Sequence, residues 1–142
     1  MSVLTLEQST NIIDAALAAG AETGCDPLTV VVLDAGGHMV ALKRQDNSGI
    51  LRCEIAMGKA WGALGLGVAS RMLADKPPTF LAGIAAASGG RVVPVPGGVL
   101  VRDGEGHIIG AVGISGDISE KDEAAAIAGI GAAGLAADSG QA

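Results

Sequence analysis

Two stretches of this chain share one spacing. Asp34-Ala35-Gly36-Gly37-His38 is matched, sixty-nine positions on, by Asp103-Gly104-Glu105-Gly106-His107. Each reads Asp-x-x-Gly-His, and each lies between apolar runs: "LTVVVLD" and "HMVALKR" around the first, "VLVRD" and "HIIGAVGIS" around the second. Asp supplies the Asx hydrogen bond and Gly the positive φ of a tight turn. Each stretch therefore predicts a β-hairpin tip with histidine opening the return strand, and two hairpins predict an antiparallel sheet. A shared metal site at His38 and His107 would need the two tips to converge on a third ligand, and none stands at a suitable spacing.

Helices occupy the remaining segments. Thr5 caps a predicted helix to about Thr23, with Ile12, Ile13, Ala16 and Leu17 at the helical period and Gly24 as its stop. Ile50 to about Leu66 is helical by pattern. A short helix over Ser70–Ala74 ends at Pro77-Pro78, and "TFLAGIAAAS" can form another. "GGRVVPVPGG" reads as a loop with a short extended piece, since Pro94 and Pro96 bar it from a central strand. Ser119 caps a last helix, with Asp122 three residues on as a partial capping box; the helix runs to about Ala137 and "DSGQA" frays. The order α-β-β-α-α-β-β-α, with strands joined as hairpins, gives an α+β class. Residues 1–142 fit one domain.

The core of such a domain must be light. Apolar residues make up 49%, yet Trp61 and Phe80 are the only aromatics, and Gly alone counts 23. Small side chains bury little area each, so subunit contacts are expected to supply further burial. A net charge of −6 with no basic cluster argues against nucleic acid and against an anionic membrane surface. "MSVLTLEQST" shows no signal peptide, and no apolar run reaches the roughly 20 residues of a span. Cys25 and Cys53 lack a CxxC spacing and read as reduced thiols, so a cytoplasmic location is expected.

Lys59 is a lone charge on the apolar face of "IAMGKAWGALGLG". It is either paired to Glu54, Asp46 or a partner subunit, or it clamps a substrate anion; a Schiff-base role has no further support. Gly58 and Gly62 form a GxxxG that reads as close helix packing. Pro96, Gly97 and Gly98 offer free backbone N–H groups. Ser115 and Gly116 lead into a helix N-terminus, whose N–H groups favour an anion. We expect Lys59, the Pro96-Gly97-Gly98 loop and the Ser115-Gly116 turn to converge on one cavity for a small anionic molecule. Arg44 can bind a carboxylate in bidentate fashion, and Glu54 can serve as a general acid if buried. Glu54 and Lys59 are the candidate catalytic residues.

"VVVLDAGGHMVALKRQDNS", "GKAWGAL", "VPVPGGVLV" and "GHIIGAVGISGDISEKDEAAAIAG", in that order, resemble the motifs of the GlcG/HbpS-like, or haem-degrading domain, family. The resemblance implies a profilin-like fold with a five-stranded antiparallel sheet, strand order 2-1-5-4-3, helices on its faces, and homo-oligomers larger than a dimer. It implies scattered functions: haem binding or degradation, domains attached to cobalamin enzymes, and a hydroxylaminobenzoate lyase. Two readings follow. One is a binding module for haem or another small molecule at a subunit interface. The other is a small cofactor-independent catabolic enzyme acting on a carboxylate-bearing substrate. A single histidine as haem ligand stays open; the chain has no Tyr, and its Met and Cys residues look buried.

Overall fold

The computed structural model describes residues 3–141. Helix α1 (Leu6–Glu22) leads to strands β1 (Thr29–Asp34) and β2 (Met39–Arg44). Helices α2 (Leu51–Leu66), α3 (Ser70–Leu73) and α4 (Pro78–Ala87) come next. Strands β3 (Gly98–Arg102) and β4 (Ile108–Ser115), helix α5 (Ser119–Ala132) and a short β5 (Ala136–Asp138) complete the chain. Thr5 caps α1 through the N–H of Gln8, whose side chain returns a bond to the Thr5 N–H, so two end donors are satisfied reciprocally.

The sheet is five-stranded and antiparallel, as expected, in the order β2-β1-β4-β3-β5. The two hairpins lie side by side through β1 and β4. The outer edge of β3 is taken by the C-terminal strand, which is numbered last and so changes the notation from 2-1-5-4-3. Alternation along β1 sends Val30 and Val32 to the layer of α1 and α5, and Val31 and Leu33 to the layer of α2. β1 is thus buried on both faces, which is why Val30, Val31, Val32 and Leu33 follow one another without a polar residue.

The α2 face is made of backbone. Gly98 and Gly113 sit opposite each other on β3 and β4. A Cβ on Gly98 would collide with the carbonyl of Lys59, and one on Gly113 with the carbonyl of Ala56. The sheet is therefore bare where α2 crosses it. The GxxxG of α2 serves a different neighbour from the helix or sheet expected: Gly58 and Gly62 seat the segment Arg91-Val92-Val93, and the N–H of Val93 bonds the Gly58 carbonyl at 3.2 Å.

Three local expectations are corrected. α5 ends at Ala132, not near Ala137, because Gly134 turns the chain with φ +77. Ala136 and Ala137, read as the end of the helix, and Asp138, read as the start of the frayed tail, instead form β5, pinned by Arg102 Nε to Asp138 Oδ2 at 2.9 Å. Ser119 is not the cap of α5: Ile118 holds that position without a side-chain bond, and Asp122 reaches back to the N–H of Asp117 instead. α4 forms as expected, with Pro78 in its first turn, yet none of its ten residues is buried.

Candidate functional site

The two hairpin tips are copies of one turn. Asp34 Oδ1 accepts the N–H groups of Gly36 and His38 at 3.0 and 2.9 Å. Asp103 Oδ1 accepts those of Glu105 and His107 at 2.9 and 3.0 Å. Both tips stand at the same end of the sheet, since Asp34 pairs with Gly110 near the start of β4. The imidazoles differ in setting. His38 Nδ1 lies 3.2 Å from Asp34 Oδ1 and its side chain is 81% exposed. His107 Nδ1 lies 3.4 Å from Asp103 and 3.5 Å from Glu105. The backbone N–H of His38 is the main cause that holds the Asp34 carboxyl below its ordinary pKa, so Asp34 stays charged beside the ring. Among the described residues no group of three or more His, Cys, Asp or Glu gathers as a metal site.

Lys59, the Pro96-Gly97-Gly98 loop and the start of the Ser115-Gly116 turn do come together, but their own atoms fill the space between them. Lys59 is 2% exposed. Its Nζ donates to the Ile114 carbonyl at 2.8 Å and to Asp122 Oδ2 at 3.1 Å. A Cβ on Gly97 would stand 2.8 Å from that ammonium. The N–H of Gly98 is not free; it donates to Ser70 Oγ at 2.7 Å. Ser115 Oγ accepts from Arg52 Nη1 at 3.1 Å, and Gly116 packs directly on Pro27 and Leu28. The anion that Lys59 and the α5 N-terminus call for is the chain's own Asp122, not Glu54 or Asp46. Burial is the main influence on both partners: it pulls the Lys59 pKa below and pushes the Asp122 pKa above its ordinary value, each opposed by the other's charge.

Arg44 and Glu54 are placed apart. Arg44 gives Nη1 to the Ser48 carbonyl and borders a hollow of about 530 Å³ beside the end of α1. Glu54 is exposed and lines a groove of about 650 Å³ between α2 and edge strand β2. Met39, Leu42, Leu51, Ile55, Met57 and Trp61 give that groove apolar walls, and Cys53, Gly37 and Arg91 also border it. The hairpin tip reaches one edge of Trp61: a Cβ on Gly37 would stand 3.2 Å from the indole Cδ1 and Nε1. The Arg91 guanidinium lies over the ring, 3.9 Å from its centre. Met39, Met57 and Cys53 are not buried, contrary to expectation; Met39 is 57% exposed.

Sequence reading missed this groove. The one available signal was Trp61, a lone large ring on a helix of small residues. Nothing in the spacing announced that Gly37 and Arg91 would meet it.

Among known proteins, the corrinoid adenosyltransferase PduO of Salmonella typhimurium is 35% identical over 99 residues, 68% of this chain. The chain spans 29% of that protein's length. The crystal structure of a PduOC:heme complex superposes with a TM-score of 0.85 at 28% identity, covering 94% of this chain and 97% of that one. The structure of HbpS superposes with a TM-score of 0.78 at 26% identity, covering 92% and 90%. No helix among the described residues is long and apolar enough to cross a membrane. The chain belongs to the family described as haem degrading protein HbpS-like, whose profile matches residues 4–131.

Proposed function

We propose that the chain binds haem in the groove between α2 and β2, with His38 as the iron ligand. The observation that carries this reading is the placement of His38. It sits in the chain between Gly37 and Met39, both of which line the groove, and its Nδ1 faces Asp34. A Nδ1–H given to Asp34 leaves Nε2 with a free lone pair, the arrangement that orients a ligating imidazole. The groove's volume falls in the range of small-molecule sites, and its walls are apolar with few polar groups. When bound, haem would supply redox chemistry at its iron. The haem held by the PduOC relative supports the same ligand class.

The reading is tested by titrating the protein with hemin and following the Soret band, with His38→Ala and His107→Ala alongside. His38→Ala should lose most of the shift and His107→Ala should keep it. A shift that survives both substitutions removes histidine ligation. No saturable shift at all favours the other reading, a hydroxylaminobenzoate-type lyase acting on a carboxylate-bearing substrate.

The proposal extends to assembly and location. α4 carries no charge and buries no side chain, which supports homo-oligomers larger than a dimer, and the two free cysteines support a reducing cytoplasm. Light scattering at micromolar concentration should report the oligomer; a uniform monomer would contradict it.

A further inference from the structure

We propose that Arg91 is the carboxylate-recognition residue of the groove, so that its ligand class is a flat apolar molecule bearing carboxylate groups. This rests on the haem reading above and deepens it, since haem carries two propionates. The backbone places Arg91 firmly. Gly58 and Gly62 let segment Arg91-Val92-Val93 lie against α2 at a separation where a Cβ on Gly58 would strike the Arg91 carbonyl. The guanidinium is then held twice: its face rests over Trp61 at 3.9 Å, and its Nε–H donates to the Ser88 carbonyl at 3.0 Å.

The terminal nitrogens are the part left to work. Ion pairs among the described residues use Lys43, Lys59, Arg71, Arg102 and the two histidines; Arg91 is in none of them. A guanidinium stacked on an indole presents its remaining donors in the plane of the fork, the geometry that receives a carboxylate. The same indole is a wall of the groove, so a ring lying along the apolar side would bring a short acidic side chain to Arg91. Glu54, on the same groove, bears the charge that would repel such a group placed elsewhere along α2. The Arg91–Trp61 stack and the Glu54 carboxylate together fix which way an acidic ligand faces.

The test uses four probes: hemin, iron-free protoporphyrin, and the dimethyl ester of each. Quenching of Trp61 reports binding, because the chain has one tryptophan. Iron-free protoporphyrin binds without help from His38, which separates carboxylate recognition from ligation. The native protein should bind both free acids about tenfold more tightly than their esters, the scale of one charge-assisted hydrogen bond. Arg91→Gln, at an exposed position, should bind acid and ester alike. Equal binding of acid and ester by the native protein overturns the role of Arg91 and leaves the haem reading standing. So does an acid preference that persists in Arg91→Gln. Binding of none of the four probes overturns the haem reading, and this proposal with it.

Discussion

Lys59→Met should cost the fold about 3–5 kcal/mol at neutral pH, the penalty of stranding one buried charge by removing its partner. The substitution keeps the apolar stem and deletes both bonds of Nζ, to Ile114 and to Asp122. Asp122, with its side chain 1% exposed, is left with the Asp117 N–H as its donor among the described residues. The midpoint of urea unfolding should fall with little change in slope. The loss should also depend on pH. Burial already raises the Asp122 pKa above 3.8. Without the ammonium it rises further. A carboxyl raised on folding favours the folded state below its ordinary pKa, and that contribution is lost as pH climbs towards the raised value. The penalty in Lys59→Met should therefore be smaller at pH 5 than at pH 8. Lys59→Met combined with Asp122→Leu should recover most of the stability, since an apolar pair replaces an ionic one. A cost below about 1 kcal/mol for the single variant would show that the pair does not hold α2 to α5.

Gly113→Ala should be nearly as damaging, at about 3 kcal/mol, the upper part of the usual overpacking range. Its φ is not in the positive region, so the backbone accepts alanine. The added Cβ meets the carbonyl of Ala56, which belongs to the backbone of α2 and cannot rotate away. The whole helix must lift. A calorimetric melting temperature lower by about 10 °C is expected for a chain of this size. Gly67→Ala is the useful contrast. Gly67 has φ +70 and nothing within 4 Å of a Cβ. Only backbone strain applies there, about 1 kcal/mol. If the two substitutions cost the same, the close approach of α2 to the sheet is not what Gly113 provides.

The parts of the fold that are local were legible in the sequence. Asp-x-x-Gly-His encodes its own turn within five residues, so both hairpins and their strands could be placed from the local sequence pattern alone. The capping of α1 by Thr5 is similarly local. The end of α5 was not legible, because Gly129, Gly131 and Gly134 look alike in an alanine-rich run and only the last adopts positive φ. β5 was hidden for a further reason: three residues carry no strand pattern until β3 offers them an edge. At the candidate site, the unusual status of Lys59 was readable but its partner was not. Asp122 lies sixty-three positions away and has a ready local explanation as a helix-cap residue. The groove was beyond reach because α2, the first hairpin and the segment after α4 each give one wall. Its most informative contact, Arg91 over Trp61, joins two of those walls.

The contact of α2 with bare backbone also bears on how this architecture can change over time. Gly58, Gly98 and Gly113 each face a carbonyl, so almost any side chain introduced there is rejected at once. Met39, Leu51, Glu54 and Met57 face the open groove, where larger or smaller groups can be exchanged without moving the helix. Substitution is thereby costly at the seam and cheap on the lining. A lineage built this way can drift from one ligand to another by single steps while its frame stays fixed.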